Sequence, residues 1–131
     1  MPHRFDLRVY YEDTDLAGVV YYANYLKFIE RARSEWVRAV GVDQVALKAD
    51  SGLVFAVRRV EADYLRPARF DDQLTVTTDC LSVGGARLDL RQQVLRGDDL
   101  LFTAVVTLVC LHASGRAVRL PDALRTALAR A

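Results

Sequence analysis

The chain has 131 residues, enough for one domain around one core, with 52% hydrophobic residues, 27% charged residues and a net charge of +1. This is the balance of an ordinary soluble globular protein, and it lacks the basic excess of a nucleic-acid binder. The longest apolar run, 100–111, is too short for a membrane helix, which takes about 20 residues.

Residues 1–5 lack the apolar core of a signal peptide. The two cysteines, Cys80 and Cys110, lie in strand-like runs without metal-ligand spacing. Buried, reduced thiols and a cytoplasmic location are the expectation. No metal and no separate cofactor is expected.

Phe5, Leu7 and Val9 alternate with polar neighbours, which predicts a half-buried strand over 5–11. Three carboxylates follow, Glu12, Asp13 and Asp15, and Gly18 marks a break. If the strand continued, its period would put Tyr11, Asp13 and Asp15 on one side. A helix is predicted from Ala23 or Asn24 to Gly41, with Asn24 a good N-cap type and Gly41 a C-terminal stop. Leu26, Ile29, Ala32, Arg33, Trp36, Val37 and Val40 recur at spacings of three and four. All but Arg33 are apolar. Such a helix is about 25 Å long and reaches across a small sheet.

A short helix is predicted at 44–50, and the chain then reads as sheet. Strands are expected at 54–65, 74–82, 86–95 and 100–112, the last the most buried. Gly84-Gly85 and Gly97-Asp98 supply turn signals between them. Pro121 opens a terminal helix through 129. One strand, one long helix and a four-stranded meander predict a single α+β domain over 1–131, an antiparallel sheet packed on the helix.

The residues restrict the chemistry. His3 and His112 are the only histidines, and no nucleophile-elbow, zinc, phosphate-loop or dinucleotide pattern is present. Carboxylate chemistry remains. An acidic side chain stands just ahead of a helix N-terminus, whose first N–H groups lack partners within the helix. Acidic and hydroxyl residues also build turns and caps, so composition alone leaves a structural role open for Asp13-Thr14-Asp15.

The stretch Tyr10-Tyr11-Glu12-Asp13-Thr14-Asp15, with Ala17-Gly18-Val19-Val20-Tyr21-Tyr22 and Asn24-Tyr25, resembles the active-site motif of the 4-hydroxybenzoyl-CoA thioesterase family. Within that family it looks most like the YbgC-type, Tol–Pal-associated acyl-CoA thioesterases. The likeness continues through 28–33, 55–60 and 64–72, and covers essentially the whole chain. It implies the hotdog fold, a long central helix wrapped by an antiparallel sheet. It implies Asp15 as the catalytic carboxylate and the Tyr22 backbone N–H as the group that polarises the thioester carbonyl. Gly18 would shape the loop between them.

Asp15 would act as nucleophile, through a mixed anhydride, or as general base on water. Many YbgC-type members carry histidine where this chain has Tyr22, whereas the 4-hydroxybenzoyl branch tolerates tyrosine. The Tyr22 ring would line the acyl pocket or pack on the core.

Coenzyme A, part of the substrate, carries phosphates, for which Arg58, Arg59, Arg66, Arg69 and Arg87 are candidates. Arg58, Arg59 and Arg87 are the leading set. Adjacent strand residues face opposite ways, so at most one of Arg58 and Arg59 is expected to reach a given ligand. An open sheet edge favours a homodimer or homotetramer, and the resemblance adds active sites between subunits. It also adds possible acyl-carrier-protein or Tol–Pal links. A non-hydrolytic protein that binds acyl-CoA or acyl carrier protein is the alternative, and the retained Asp15 argues against it. A hotdog dehydratase calls for a histidine near the helix start, and none is there.

Overall fold

In the computed structural model, which describes residues 2–130, alternation and helical periodicity translate into five strands and three helices. Strand β1 (His3–Arg8) is followed by a 3-10 turn at Tyr11–Asp13, the long helix α1 (Asn24–Ala39) and the short helix α2 (Gln44–Ser51). Strands β2 (Leu53–Tyr64), β3 (Gln73–Val83), β4 (Arg87–Arg96) and β5 (Asp99–His112) follow, and α3 (Asp122–Ala129) ends the order. All strand pairs are antiparallel. Among the described residues no helix is long and apolar enough to cross a membrane.

The strand order is β1-β3-β4-β5-β2. This corrects the four-stranded meander: β3, β4 and β5 run as hairpins, but β2 lies beside β5 and not beside β3. The link 65–72 is the physical reason. The Leu65 and Arg66 N–H groups both donate to Leu101 O (2.8 and 3.1 Å), which ends β2 against β5. The chain then crosses to the far edge, where Val9 and Asp72, and Asp71 and Val9, exchange backbone bonds of 2.9 Å. That leaves β1 as the neighbour of β3 and two strands, β1 and β2, on open edges.

Helix α1 buries Tyr25, Phe28, Ile29, Ala32, Trp36 and Val37. They pack with Val76, Leu88, Leu90, Val94, Phe102 and Val106 into one core. Gly41, at φ +93°, lets the chain leave the helix without the Cβ clash an L side chain meets there. β5 lies between β4 and β2 and carries the densest run of buried side chains, as its apolar sequence predicts. Cys110 is fully buried and Cys80 half-buried, both free, and burial pushes both thiols up.

Arg33, the polar intruder on the apolar face of α1, has a partner inside. Its Nη1 donates to Gln92 Oε1 at 2.9 Å. Gln92, 0% exposed at the middle of β4, donates in turn to Ile29 O (2.8 Å) and Thr78 Oγ1 (3.0 Å). Helix α1 thus rests on β1, β3 and β4. Along the middle of β2 the inner side is only partly covered, with Val57 48% and Val60 38% exposed.

Candidate active site

Strand β1 ends at Arg8, earlier than the expected residue 11, because Asp13 draws the chain into a tight turn. The Asp13 carboxylate accepts the Tyr10 N–H at 2.8 Å, and the Asp13 N–H donates to Tyr10 O at 3.0 Å. Strand alternation therefore does not place Tyr11, Asp13 and Asp15 together. Asp13 is buried and committed to backbone. Its carbonyl accepts both the Tyr21 N–H and the Asn24 Nδ2–H, each at 2.9 Å.

Asn24 consequently does not cap α1. Its side chain ties the helix start to the acidic loop, and the capping position falls to Ala23, which has no side-chain bond to offer. The first turn also contains no acidic residue. The N-terminus of α1 keeps its partial positive charge and free donors. Among the described residues the Tyr22 N–H has no acceptor.

Residues 14–20 form a closed loop in front of this helix end. Thr14 and Val20 are bridged, the Asp15 N–H donates to Val19 O (3.0 Å), and the Gly18 N–H returns to Asp15 O (3.0 Å). Gly18 sits at φ +78°, the left-handed geometry this turn requires. The link 65–72 holds the loop from outside, through Val20 N–H to Ala68 O (2.8 Å) and a Val19–Arg69 bridge. Asp15 is exposed, and one carboxylate oxygen, Oδ1, accepts the Ala17 N–H at 2.9 Å. Oδ2 has no partner among the described residues. Through the Asp13 carbonyl, which accepts the Tyr21 N–H and the Asn24 Nδ2–H, the loop is tied to the start of α1.

The Tyr22 ring is 62% exposed and lies edge-on to Tyr64, with centroids 6.1 Å apart. The Tyr64 hydroxyl donates to Tyr22 O at 2.9 Å. Tyr64, 42 positions away, escaped the sequence reading as a site residue. Its signals were its place near the end of a predicted strand and at the start of the 64–72 block of the resemblance.

Arg58, Arg59 and Arg87 line one cleft of about 260 Å³ with Glu61, Asp89, Val105 and Thr107. Arg58 and Arg59 both line this cleft, although strict alternation would have turned them to opposite faces. β2 shifts register between Val57 and Arg59, and the bulge at Arg58 breaks the alternation. Arg59 pairs with Glu61, and Arg87 stands 3.8 Å from Asp89. Asp89 is held below the usual carboxylate range, chiefly by the Thr107 hydroxyl at 2.6 Å. Arg58 has no carboxylate partner among the described residues. The cleft opens on the face of the sheet turned away from α1, since Leu88, Leu90 and Gln92 of β4 take the inner face. It shares no lining residue with the Asp15 loop. Arg66 and Arg69 lie elsewhere, on the link 65–72.

Comparison with known proteins identifies the family and the fold. Residues 9–128 match the family model described as the thioesterase-like superfamily. The acyl-CoA thioesterase YbgC of Haemophilus influenzae is 42% identical over 107 residues, 82% of this chain and 79% of that protein. The acyl-CoA thioester hydrolase YbgC of Escherichia coli is 43% identical over 109 residues, covering 82% and 81%. A probable thioesterase from Bartonella henselae superposes with a TM-score of 0.87 at 41% identity, over 92% of this chain and all of that one. The α+β sheet around a long helix is the hotdog fold of these structures. The chain belongs to the thioesterase-like superfamily and, within it, to the YbgC-type acyl-CoA thioesterases.

Proposed function

We propose that this protein hydrolyses acyl-CoA thioesters to a free acid and coenzyme A, with Asp15 and the Tyr22 backbone N–H as its working groups. The observation that carries this reading is the uncapped start of α1, its Tyr22 N–H free, held against a loop that presents an unshielded carboxylate. Thioester cleavage puts negative charge on the carbonyl oxygen. A fixed amide at a helix N-terminus stabilises that charge without reorganising, and one such donor is typically worth about 100- to 1,000-fold in rate.

Asp15 then acts in one of two ways. As nucleophile, it adds to the thioester carbon, expels the CoA thiolate and leaves a mixed anhydride that water opens. As base, it takes a proton from the attacking water while the C–S bond breaks. Both routes consume one water and return one acid and one thiol. Thiol release over short, long and aromatic acyl-CoAs tests the proposal. Tight acyl-CoA binding without thiol release would instead support the non-hydrolytic alternative.

Arg58 is the foremost candidate for the CoA phosphates, because Arg59 and Arg87 already face carboxylates. Arg58→Ala is expected to raise KM for CoA esters about tenfold, the weight of one charge-assisted hydrogen bond. Turnover of phosphate-free N-acetylcysteamine esters should not change. Equal effects on both substrates would move the phosphate site elsewhere.

The assembled form in this proposal is a homodimer, or a tetramer built from two, joined through β2. The support is the open β2 edge together with the apolar side chains Val57 and Val60 left exposed on it. Light scattering should give two or four copies for the wild type. Val60→Asp, which sets a charge on that apolar strip, should shift the mass toward one copy. A monomeric wild type would remove the shared-edge model. A cytoplasmic location and links to acyl carrier protein or the Tol–Pal system enter this proposal from the resemblance to YbgC-type relatives.

A further inference from the structure

The Tyr22 carbonyl lies outside the helical ladder. A carbonyl there would ordinarily accept from the N–H four residues on, yet the Leu26 N–H turns to Ala23 O at 3.1 Å. The partner that Tyr22 O does have is the Tyr64 hydroxyl at 2.9 Å. The preceding carbonyl, Tyr21 O, accepts the Asn24 N–H at 2.8 Å. Both peptide planes that meet at Tyr22 are therefore held by their oxygens. Their opposite ends, the N–H groups of Tyr22 and Ala23, have no acceptor among the described residues.

Resting on the thioesterase reading above, we infer that Tyr64 is a positioning residue of the oxyanion site: by gripping the Tyr22 carbonyl, its phenol orients the Ala23 N–H beside the Tyr22 N–H as a second donor. Two effects follow from one hydrogen bond. The Tyr22–Ala23 peptide cannot rotate freely, so its donor is aimed before substrate arrives, and pre-aimed donors are the effective ones in acyl transfer. A peptide whose carbonyl already accepts a hydrogen bond is also polarised, which strengthens its N–H as a donor.

Tyr64 is itself fixed for this task. Its ring meets Tyr25 and Phe102 edge-on, with centroids 5.4 and 5.0 Å away, and Phe102 is its register partner on β5. Burial pushes the phenol up, with the Tyr22 and Tyr25 hydroxyls adding to the shift, so Tyr64 stays protonated and able to donate at neutral pH. The far end of β2 thus reaches back to the start of α1 and sets the geometry of a peptide 42 positions earlier.

Tyr64→Phe isolates the hydroxyl, because phenylalanine keeps the three ring contacts. The expected result is a fall in kcat of about 10- to 100-fold, the usual scale for misaimed reacting groups. KM and Tm should stay at wild-type values, and the Ala23 amide resonance should move. Tyr64→Leu, which also removes the ring, should lower Tm as well. Wild-type kcat in Tyr64→Phe, or a loss of Tm in place of kcat, overturns the inference and leaves Tyr64 as packing. A wild-type protein inert toward every acyl-CoA would instead overturn the hydrolytic reading, and this role with it. The Ala23 resonance still reports independently whether the hydroxyl holds the peptide.

Discussion

Asp15→Asn is expected to lower thioester turnover about 1,000-fold or more while leaving fold and oligomer intact, the scale at which a positioned acid–base group contributes. The substitution is clean for a structural reason. Asp15 uses Oδ1 to accept the Ala17 N–H, and the asparagine carbonyl oxygen accepts the same bond. The Thr14–Val20 bridge, the Asp15–Val19 bond and the Gly18 turn do not involve the side chain at all. What is lost is the free carboxylate oxygen, and an amide is neither a useful nucleophile nor a base. Thiol release, paired with thermal melting and light scattering, checks the prediction. Unchanged turnover would take Asp15 out of the mechanism. Asp13→Asn should behave differently: its carboxylate holds the Tyr10 N–H in a buried turn, so its effect should appear in stability before rate.

The largest stability effect is expected at Gln92. Gln92→Leu keeps the volume but removes three hydrogen bonds at the centre of the helix–sheet contact. The heaviest consequence falls on Arg33. Desolvation already lowers the guanidinium's pKa, partly opposed by Glu30, and no carboxylate pairs with it among the described residues. Without the Gln92 oxygen, a half-buried cation loses its neutral acceptor. Loss of such a partner costs about 2 kcal/mol, which lowers Tm by roughly 7 °C in a domain of this size. The double variant Arg33→Met, Gln92→Leu should recover most of the loss, because it removes the charge along with its acceptor. Equal melting temperatures for the single variant and the wild type would show that the network contributes no net stability.

This pair also shows where sequence reading reaches its limit. Arg33 stood out on an otherwise apolar helix face, and the period of α1 correctly placed it toward the core. The period did not name Gln92, 59 positions away, as its partner. The same holds at the candidate active site. Local spacing set Asp15, Gly18 and Tyr22 on one short segment, and that segment folds into a loop anchored to a helix start. The expected cap, Asn24, was misassigned because its best partner, Asp13 O, becomes available only once the loop closes. The Arg58 bulge was equally hidden, since alternation assumes an unbroken ladder and the register slip depends on how β2 meets β5.

By itself the sequence determined the elements and their faces: a long amphipathic helix, a most-buried final strand and an acidic segment broken by a glycine; a resemblance added a motif shared with thioesterases. The elements and their faces follow from local propensity and from periods of 3.6 and 2, which each segment carries alone. Only the tertiary structure decided the neighbours. It put β2 on the edge beside β5, drew the link 65–72 across the acidic loop, and brought the Tyr64 hydroxyl to the Tyr22 carbonyl. A hydrophobic period states which side of a strand is buried, whereas pairing order and long-range hydrogen bonds depend on which strands the whole core brings side by side.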